Sequence, residues 1–222
     1  MINLVLLVSA TLSLTTLITG QFLNHRLLII VSKTLTSVIM VIYVSLLSIE
    51  SSFEAAYLIV IAITLGAFGD VFLLGKSTRF FAAGMVAFAL GHLSYILAFA
   101  HYSINYIELL VGFVVLLLPL YFVIKWLWKD IPQKLRWPVV GYVLILTAMT
   151  ATAMAVRIDG QLTLMALGAT LFLISDFFVA THRFKGKKFI DKAIGLPLYY
   201  SGQFILATTL VIQTTTSPWL PV

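Results

Sequence analysis

Two aspartates stand alone within very apolar stretches of this chain. Asp70 lies in AITLGAFGDVFLLG and Asp176 lies in ALGATLFLISDFFVA. An ionised carboxylate is costly in the core of a bilayer, so such residues usually face a protein interior or a wet cavity and have a function. Two carboxylates in one low-dielectric site tend to divide the work, because one keeps its proton as an acid and the other stays ionised as a base. The pattern predicts acid–base chemistry at Asp70 and Asp176.

An aspartate pair of this kind suits acid-catalysed hydrolysis of an ether-type bond, in the way that glycosidases use two carboxylates around an oxocarbenium-like transition state. A serine hydrolase is disfavoured, since the chain has no G-x-S-x-G motif. A zinc site would have possible ligands in Asp70, His92, Asp176 and His182, but no compact motif such as H-E-x-x-H joins them. We therefore expect no metal and no cofactor.

The composition is that of a membrane protein. Of the 222 residues, 61% are hydrophobic and 10% are charged, whereas a soluble domain has about 25% charged residues. The chain leaves no room for a large soluble domain, so we expect a single integral membrane domain over residues 1–222. It has no cysteine, which excludes disulfides and a thiolate nucleophile. The net charge of +6 lies in a few short loops, which argues against nucleic-acid binding.

Apolar stretches of roughly 20 residues, the length that spans a bilayer as a helix, recur along the chain. They are too long and too continuous for the alternating strands of a membrane barrel. The N-terminal MINLVLL has no basic region ahead of it, so we interpret it as a first span and not as a signal peptide. We predict an all-α polytopic membrane protein with eight transmembrane helices near residues 2–23, 27–49, 55–75, 80–101, 105–124, 138–157, 161–181 and 195–213.

The basic residues predict an orientation. Of the 14 Lys and Arg residues, Lys33 lies within a predicted span and Arg157 lies in an even-numbered loop, while all others lie in odd-numbered loops. The positive-inside rule places the odd loops in the cytoplasm and both termini outside. Three tryptophans flank the fifth loop as interfacial anchors. We expect a multi-pass protein of the bacterial inner membrane.

Polar residues gather at one depth in the cytoplasmic third of the predicted bundle. At 1.5 Å rise per residue, Asp70 and Asp176 each lie roughly 8 Å from the cytoplasmic end of their helix. Scattered polar residues would not select one depth, so we predict one site with Asp70 and Asp176 as catalytic residues. Arg79 and Arg183 in the adjoining loops would meet a head group, and the other predicted binding residues are Lys33, His92, Tyr95, Tyr142, Ser175, Tyr199, Tyr200 and Gln203.

Several of these residues also have a structural interpretation. Lys33 could extend its amine to the interface, and the two aspartates could form ion pairs with Lys33 or a loop arginine. His92 and Tyr95 could make an interhelical hydrogen bond, and Ser175 could be a helix-packing residue. The neighbouring tyrosines 199 and 200 could belong to an interfacial aromatic belt.

A short internal similarity is visible. GDVFLLGKSTRF near the end of span three resembles SDFFVATHRF near the end of span seven, and GHLSYILAFA in span four resembles YYSGQFILATT in span eight. The related spans have the same direction, which favours a parallel four-plus-four repeat over an inverted one. The match is short and its spacings differ, so two helices that end alike by chance remain the alternative.

At these residues the chain resembles a known family. GDVFLLGKSTRFFAAGMVAFALGHLSYILAF is similar to the G-D segment and downstream H-x-x-Y motif of the YhhN-like lysoplasmalogenases. SKTLTSVIM, YVLILTAMTATA, GATLFLISDFFVATHRF and YYSGQFILA are similar to that family's other blocks, in the same order over nearly the whole chain. One departure is Thr34, which follows Lys33 where the family pattern has proline.

The resemblance implies a membrane hydrolase that cleaves the vinyl ether bond of lysoplasmalogens. The products would be a fatty aldehyde and glycerophosphoethanolamine or glycerophosphocholine, and the implied catalytic pair matches Asp70 and Asp176. No cofactor is implied, and the expected partners are a lysophospholipid substrate and membrane lipids.

Two questions stay open at the level of sequence. Either aspartate could be the acid, with a slight preference for Asp176 as the base because the adjacent Ser175 could help to hold a water. The alternative function is a proton-coupled lipid or small-solute transporter, in which the same carboxylates would carry protons. A scaffold without turnover would not require polar groups at one depth.

Overall fold

The computed structural model describes residues 2–51, 53–158, 161–162 and 164–216. Within them the fold is all-α, as predicted, apart from two strands of two residues each. The helices are α1 (Ile2–Phe22), α2 (Arg26–Glu50), α3 (Ala56–Phe72), α4 (Thr78–Phe99), α5 (Tyr106–Leu127), α6 (Arg136–Ala155), α7 (Leu164–Phe184) and α8 (Phe189–Thr216). Helix α8 begins at Phe189 instead of near residue 195. Helix α2 continues without interruption through the Lys33–Thr34 step.

Six of the helices in the described residues are long and apolar enough to cross a membrane, namely α1, α2, α4, α5, α6 with the short turn before it, and α7. Helix α3 is equally apolar but has 17 residues. Large apolar side chains point away from the bundle, such as Leu4 on α1 (64% exposed) and Val115 on α5 (62% exposed). These features are those of an integral membrane protein, and the total of eight spans remains a prediction.

Local sequence accounts for several helix ends. His25, Ser77 and Asn105 precede α2, α4 and α5, and the side chain of each accepts a hydrogen bond from a backbone N–H of the first turn. Asn24, between α1 and α2, has a φ of 52°, a left-handed conformation that asparagine tolerates better than most residues. Gly186, between α7 and α8, has a φ of 122°, which only glycine adopts without strain.

The junction between α6 and α7 differs from the prediction. Spans six and seven were expected to reach residues 157 and 161, but this part of the chain forms two short antiparallel strands, β1 (Arg157–Ile158) and β2 (Gln161–Leu162). Arg157 also forms an ion pair with Glu108 at the start of α5. A charged residue at the end of an apolar helix finds a partner more readily in a turn at the bundle surface than inside a span, so the helix ends before it.

Consecutive helices pack as antiparallel pairs: α1 with α2, α3 with α4, α5 with α6, and α7 with α8. Helix α8 also contacts α1 and α3, and the two most extensive contacts between the halves of the chain are those of α2 with α8 and of α4 with α6. If α5–α8 repeat α1–α4, these two contacts are equivalent to each other. The pairing therefore agrees with a parallel four-plus-four repeat, which remains an interpretation.

Two glycines allow α7 and α8 to approach closely. A β-carbon on Gly202 would lie 2.8 Å from the carbonyl oxygen of Gly168, and one on Gly168 would lie 3.0 Å from that of Gly202. Small residues at such crossings let helix backbones meet within a membrane. The close crossing brings Asp176 of α7 and Tyr199 of α8 to the same cavity.

The loops after α1, α3, α5 and α7 carry most of the basic residues and gather at one end of the bundle, here called the basic end. Lys185 after α7 pairs with Asp130 after α5 at 2.5 Å. The ring centroids of Phe22 and Phe189 are 5.3 Å apart, and this contact brings the first loop next to the last one. The arrangement agrees with the alternation of loops inferred from the sequence, while the side of the membrane that this end faces remains a prediction.

A labelling experiment tests the orientation. The native chain has no cysteine, so Lys187→Cys at the basic end and Ser103→Cys at the opposite end each introduce a single thiol. We expect an impermeant maleimide to label the Ser103 variant in intact cells, and the Lys187 variant only after permeabilisation. Labelling of the Lys187 variant in intact cells would show that the orientation is reversed.

Candidate active site

A cavity of about 480 Å³ lies between helices α2 to α8, towards the basic end. Its volume is in the range of small-molecule sites in proteins. Most of its wall is apolar, with leucines, valines and phenylalanines from α4, α5, α6 and α7. The polar residues that line it are Lys33, Asp70, Tyr142, Asp176, Asp191, Lys192 and Tyr199. The two aspartates predicted from the sequence thus share one cavity.

Asp70 lies within a dense set of donors from α2 and α8, here called the Asp70 cluster. Its Oδ1 is 2.9 Å from Nζ of Lys33. Its Oδ2 accepts hydrogen bonds from Ser37 at 2.7 Å and from Tyr199 at 2.9 Å, and the Tyr200 hydroxyl lies 3.4 Å away. Asp70 is 2% exposed and Lys33 is 6% exposed. The cluster therefore holds a buried ion pair whose carboxylate is supported by hydroxyl donors.

Asp176 has fewer polar neighbours than Asp70. The Tyr142 hydroxyl of α6 donates a hydrogen bond to its Oδ2. The same hydroxyl lies 3.2 Å from Nε2 of His92 on α4. His92 is 1% exposed, and its ring meets Phe172 edge to face. No described lysine or arginine pairs with Asp176, so this carboxyl differs from Asp70 in having one neutral donor and no cation.

A second set of contacts connects α4 to the Asp70 cluster. Tyr95 donates to Oε1 of Gln203 at 2.5 Å, and Nε2 of Gln203 donates to the Tyr199 hydroxyl at 3.5 Å. Tyr95 and Gln203 are buried but do not line the cavity. Their contacts fix the position of Tyr199, so they stabilise the site from outside the cavity wall.

Seven predicted binding residues do not line the cavity. Four of them belong to the hydrogen-bond networks around the two aspartates, namely His92, Tyr95, Tyr200 and Gln203. The other three are Ser175, Arg79 and Arg183. Ser175 is fully buried and its hydroxyl donates to the carbonyl of Phe172 on its own helix, so it does not hold a water beside Asp176. Arg79 is exposed at the start of α4. The Arg183 guanidinium packs over the ring of Phe81, 4.7 Å from its centroid. One residue in a helix points about 100° away from the next, which explains why Ser175 and Asp176 face different neighbours.

Three polar residues of the site were not predicted from the sequence. Ser37 lies four residues after Lys33 on α2, and this spacing places both side chains on one helix face. Asp191 and Lys192 lie on the first turn of α8 and line the cavity. In the sequence they look like part of a basic loop, because α8 starts earlier than its apolar stretch. Among the described residues, no three His, Cys, Asp or Glu side chains come together as metal ligands would.

The profile of the YhhN family matches residues 28–210, which is most of the chain and includes every cavity residue named above. The chain belongs to the YhhN family. No curated protein and no solved structure matches it. The resemblance seen in the sequence is thus confirmed at the level of the family. In this member of the YhhN family, the blocks that carry the resemblance are the helices that surround the cavity.

Proposed function

We propose that this protein is a membrane hydrolase that cleaves the vinyl ether bond of lysoplasmalogens. The products are a fatty aldehyde and a glycerophospho-base. The observation that carries the proposal is that Asp70 and Asp176 line one cavity whose wall is mostly apolar. A substrate with a long chain beside a polar, acid-labile bond fits such a cavity, and membership of the YhhN family supports the same class.

The lipid chain would lie along the apolar wall made by α5, α6 and α7. Helix α5 contributes Leu116, Leu120 and Val123 to the cavity, and among its own residues only Leu127 is buried. It packs mainly on α6 and contains Pro119, which also lines the cavity. A weakly packed helix next to the cavity offers a lateral route from the bilayer, so a lysolipid need not leave the membrane to reach the aspartates.

Asp70 is assigned the role of the charged carboxylate. A buried carboxylate with a lysine at 2.9 Å and several hydroxyl donors is stabilised in its ionised form. Among the described residues, Lys33 is the only hydrogen-bond or ion-pair partner of Oδ1, and a carboxylate oxygen can accept a second hydrogen bond. Asp70 can therefore orient a water through Oδ1 and stabilise positive charge that develops on the substrate.

Asp176 is assigned the role of the acid. It has no cation beside it, and its Oδ1 accepts no hydrogen bond from a described residue. A carboxyl in a largely apolar cavity without a counter-ion is best accommodated in its protonated form. The weak preference from the sequence for Asp176 as the base depended on Ser175, whose hydroxyl faces its own helix. The geometry supports the opposite assignment.

The reaction then needs no further group. Asp176 gives its proton to the β-carbon of the vinyl ether, and an oxocarbenium ion forms next to the Asp70 carboxylate. Water attacks the cationic carbon, and one of its protons returns to Asp176. The resulting hemiacetal breaks its bond to the glycerol oxygen, which takes the hydroxyl proton. The products are the aldehyde and the free glycerol hydroxyl, and the acid is restored.

Turnover by the purified protein tests this proposal. The protein in detergent should release fatty aldehyde from a defined lysoplasmalogen. It should not cleave the matched lysolipid with a saturated alkyl ether, because that lipid has no double bond whose protonation could form the oxocarbenium ion. Empty detergent and the Asp176→Asn variant are the controls. Absence of aldehyde from an intact, monodisperse preparation would contradict the hydrolase and would favour the proton-coupled transporter.

A further inference from the structure

We propose that Asp191 and Lys192 on α8 bind a zwitterionic phosphoethanolamine head group, with Lys192 on the phosphate and Asp191 on the primary ammonium. This inference rests on the function proposed above and adds the head-group class to it. The proposal is based on two neighbouring residues in the wall of the cavity that holds the aspartate pair. Asp191 is buried and one of its carboxylate oxygens has no hydrogen-bond partner among the described residues, and Lys192 follows it in the sequence.

Asp191 is buried, with 8% of its surface exposed, yet its hydrogen bonding is incomplete. Oδ1 accepts a hydrogen bond from Thr181 at 3.2 Å, while Oδ2 has no hydrogen-bond partner in the described part of the chain. Oδ2 lies 3.8 Å from Nδ1 of His182, which is beyond hydrogen-bond distance, and that nitrogen lies 3.2 Å from the backbone oxygen of Lys188. A buried carboxylate oxygen without a donor is costly. Asp191 lines the cavity, so a ligand ammonium that reaches its carboxylate would supply the donor.

Lys192 supplies the complementary charge. It lines the same cavity and forms no ion pair with any described residue. The other cavity lysine, Lys33, is already paired with Asp70 at 2.9 Å. Lys192 is therefore the cavity cation that remains available for an anion, and a lysine ammonium binds phosphate as a compact point charge.

The register of α8 places this pair at a suitable distance from the reacting groups. Lys192 and Tyr199 are seven residues apart and line the same cavity, and at 1.5 Å per residue they are separated by roughly 10 Å along the helix. Tyr199 donates to Asp70, so Asp191 and Lys192 lie on the basic-end side of the aspartate pair. In a lysoplasmalogen the short glycerol unit separates the vinyl ether from the phosphate. One molecule could thus reach both sites at the same time.

The chemistry of the pair favours ethanolamine over choline. A primary ammonium donates hydrogen bonds to a carboxylate, whereas a quaternary ammonium has no N–H and is usually recognised by the faces of several aromatic rings. Phe81 and Phe184 line the cavity near this end and pack edge to face at 5.7 Å. The Arg183 guanidinium already lies over the Phe81 ring. These rings do not form an open aromatic cage, so Asp191 sets the preference.

Binding without turnover tests the head-group site. The test uses four ester-linked lysolipids that lack the vinyl ether: lysophosphatidylethanolamine, its N-methyl and N,N-dimethyl derivatives, and lysophosphatidylcholine. Their affinities are measured from the thermal stabilisation of the purified protein. We expect affinity to fall along this series, by about tenfold or more from the first to the last lipid, as the hydrogen bonds to a charged group are lost. Asp191→Asn should remove the preference, and Lys192→Gln should weaken all four lipids.

Matched controls are Asp130→Asn and Lys188→Gln, which change exposed residues of the basic end and should leave the series unchanged. Equal affinities for the four lipids in the native protein would overturn the proposal, and this measurement needs no variant. A preference that persists in a folded Asp191→Asn protein would overturn it as well. The proposed hydrolase is judged separately, because these lipids report binding whether or not the protein turns over a lysoplasmalogen.

Discussion

Asp176→Asn is expected to lower the turnover of a lysoplasmalogen by about 10²–10⁴-fold, the usual contribution of a positioned acid or base. Asparagine keeps the shape of the side chain and can still accept the hydrogen bond from Tyr142, but it cannot give a proton to the vinyl ether carbon. Asp176 pairs with no described cation, so its replacement leaves no buried charge without a partner. The variant should therefore fold. Aldehyde release and the melting temperature of the purified variant are the measurements.

The matched control for this variant is Asp130→Asn. Asp130 is an exposed aspartate outside the cavity, paired with Lys185, and its replacement should keep native turnover. A folded Asp176→Asn protein with near-native turnover would contradict the assignment of the acid. If in addition His92→Ala or a chelator abolished turnover, a histidine or metal mechanism would have to replace the two-aspartate mechanism.

The sequence predicts the helices well because the bilayer restricts the solutions. A membrane-spanning segment must satisfy its backbone hydrogen bonds internally and be about 20 residues long, so an apolar stretch fixes the type of the element and its approximate extent. The prediction is weaker at segment ends. Arg157 leaves α6 for a short strand, and α8 extends to Phe189 beyond its apolar stretch. Polar residues at helix ends are compatible with a helix, a turn or a strand, and tertiary contacts decide among them.

The sequence places the polar residues of the site by depth but not by direction. Depth follows from helical rise, and it brings Asp70, Asp176, Lys33 and Tyr142 to one cavity. The face that each side chain occupies depends on the rotation of each helix about its axis. Ser175 has the right depth and faces its own helix backbone. Helix rotation is set by packing such as the Gly168–Gly202 crossing, which no single stretch of sequence specifies.

The two aspartates have related surroundings. Asp70 on α3 receives donors from α2 and α8, and Asp176 on α7 is connected to α6 and, through Tyr142, to α4. In a four-plus-four repeat these helices correspond in order. The difference between the halves is the cation: Lys33 accompanies Asp70, and the described residues place no equivalent next to Asp176. Under this interpretation, equivalent carboxylate positions would have the two proposed roles, the charged group in one half and the acid in the other.

Lys33→Met is expected to destabilise the protein by about 3–5 kcal/mol, because removal of one partner of a buried pair leaves the other charge uncompensated. Lys33 and Asp70 are 2.9 Å apart and both side chains are less than a tenth exposed. The control is Lys185→Met, which breaks a partly exposed pair with Asp130 and should cost about 0–1 kcal/mol. Melting temperatures in one detergent compare the two variants.

The double variant Lys33→Met/Asp70→Asn separates the structural role of this pair from its role in the reaction. Removal of both charges leaves no buried charge without a partner, so most of the lost stability should return. Turnover should remain strongly reduced, because the oxocarbenium ion would form without the Asp70 carboxylate. A double variant that recovers both stability and turnover would show that Asp70 and Lys33 only hold α2 and α3 together, and the chemistry would then rest on Asp176 alone.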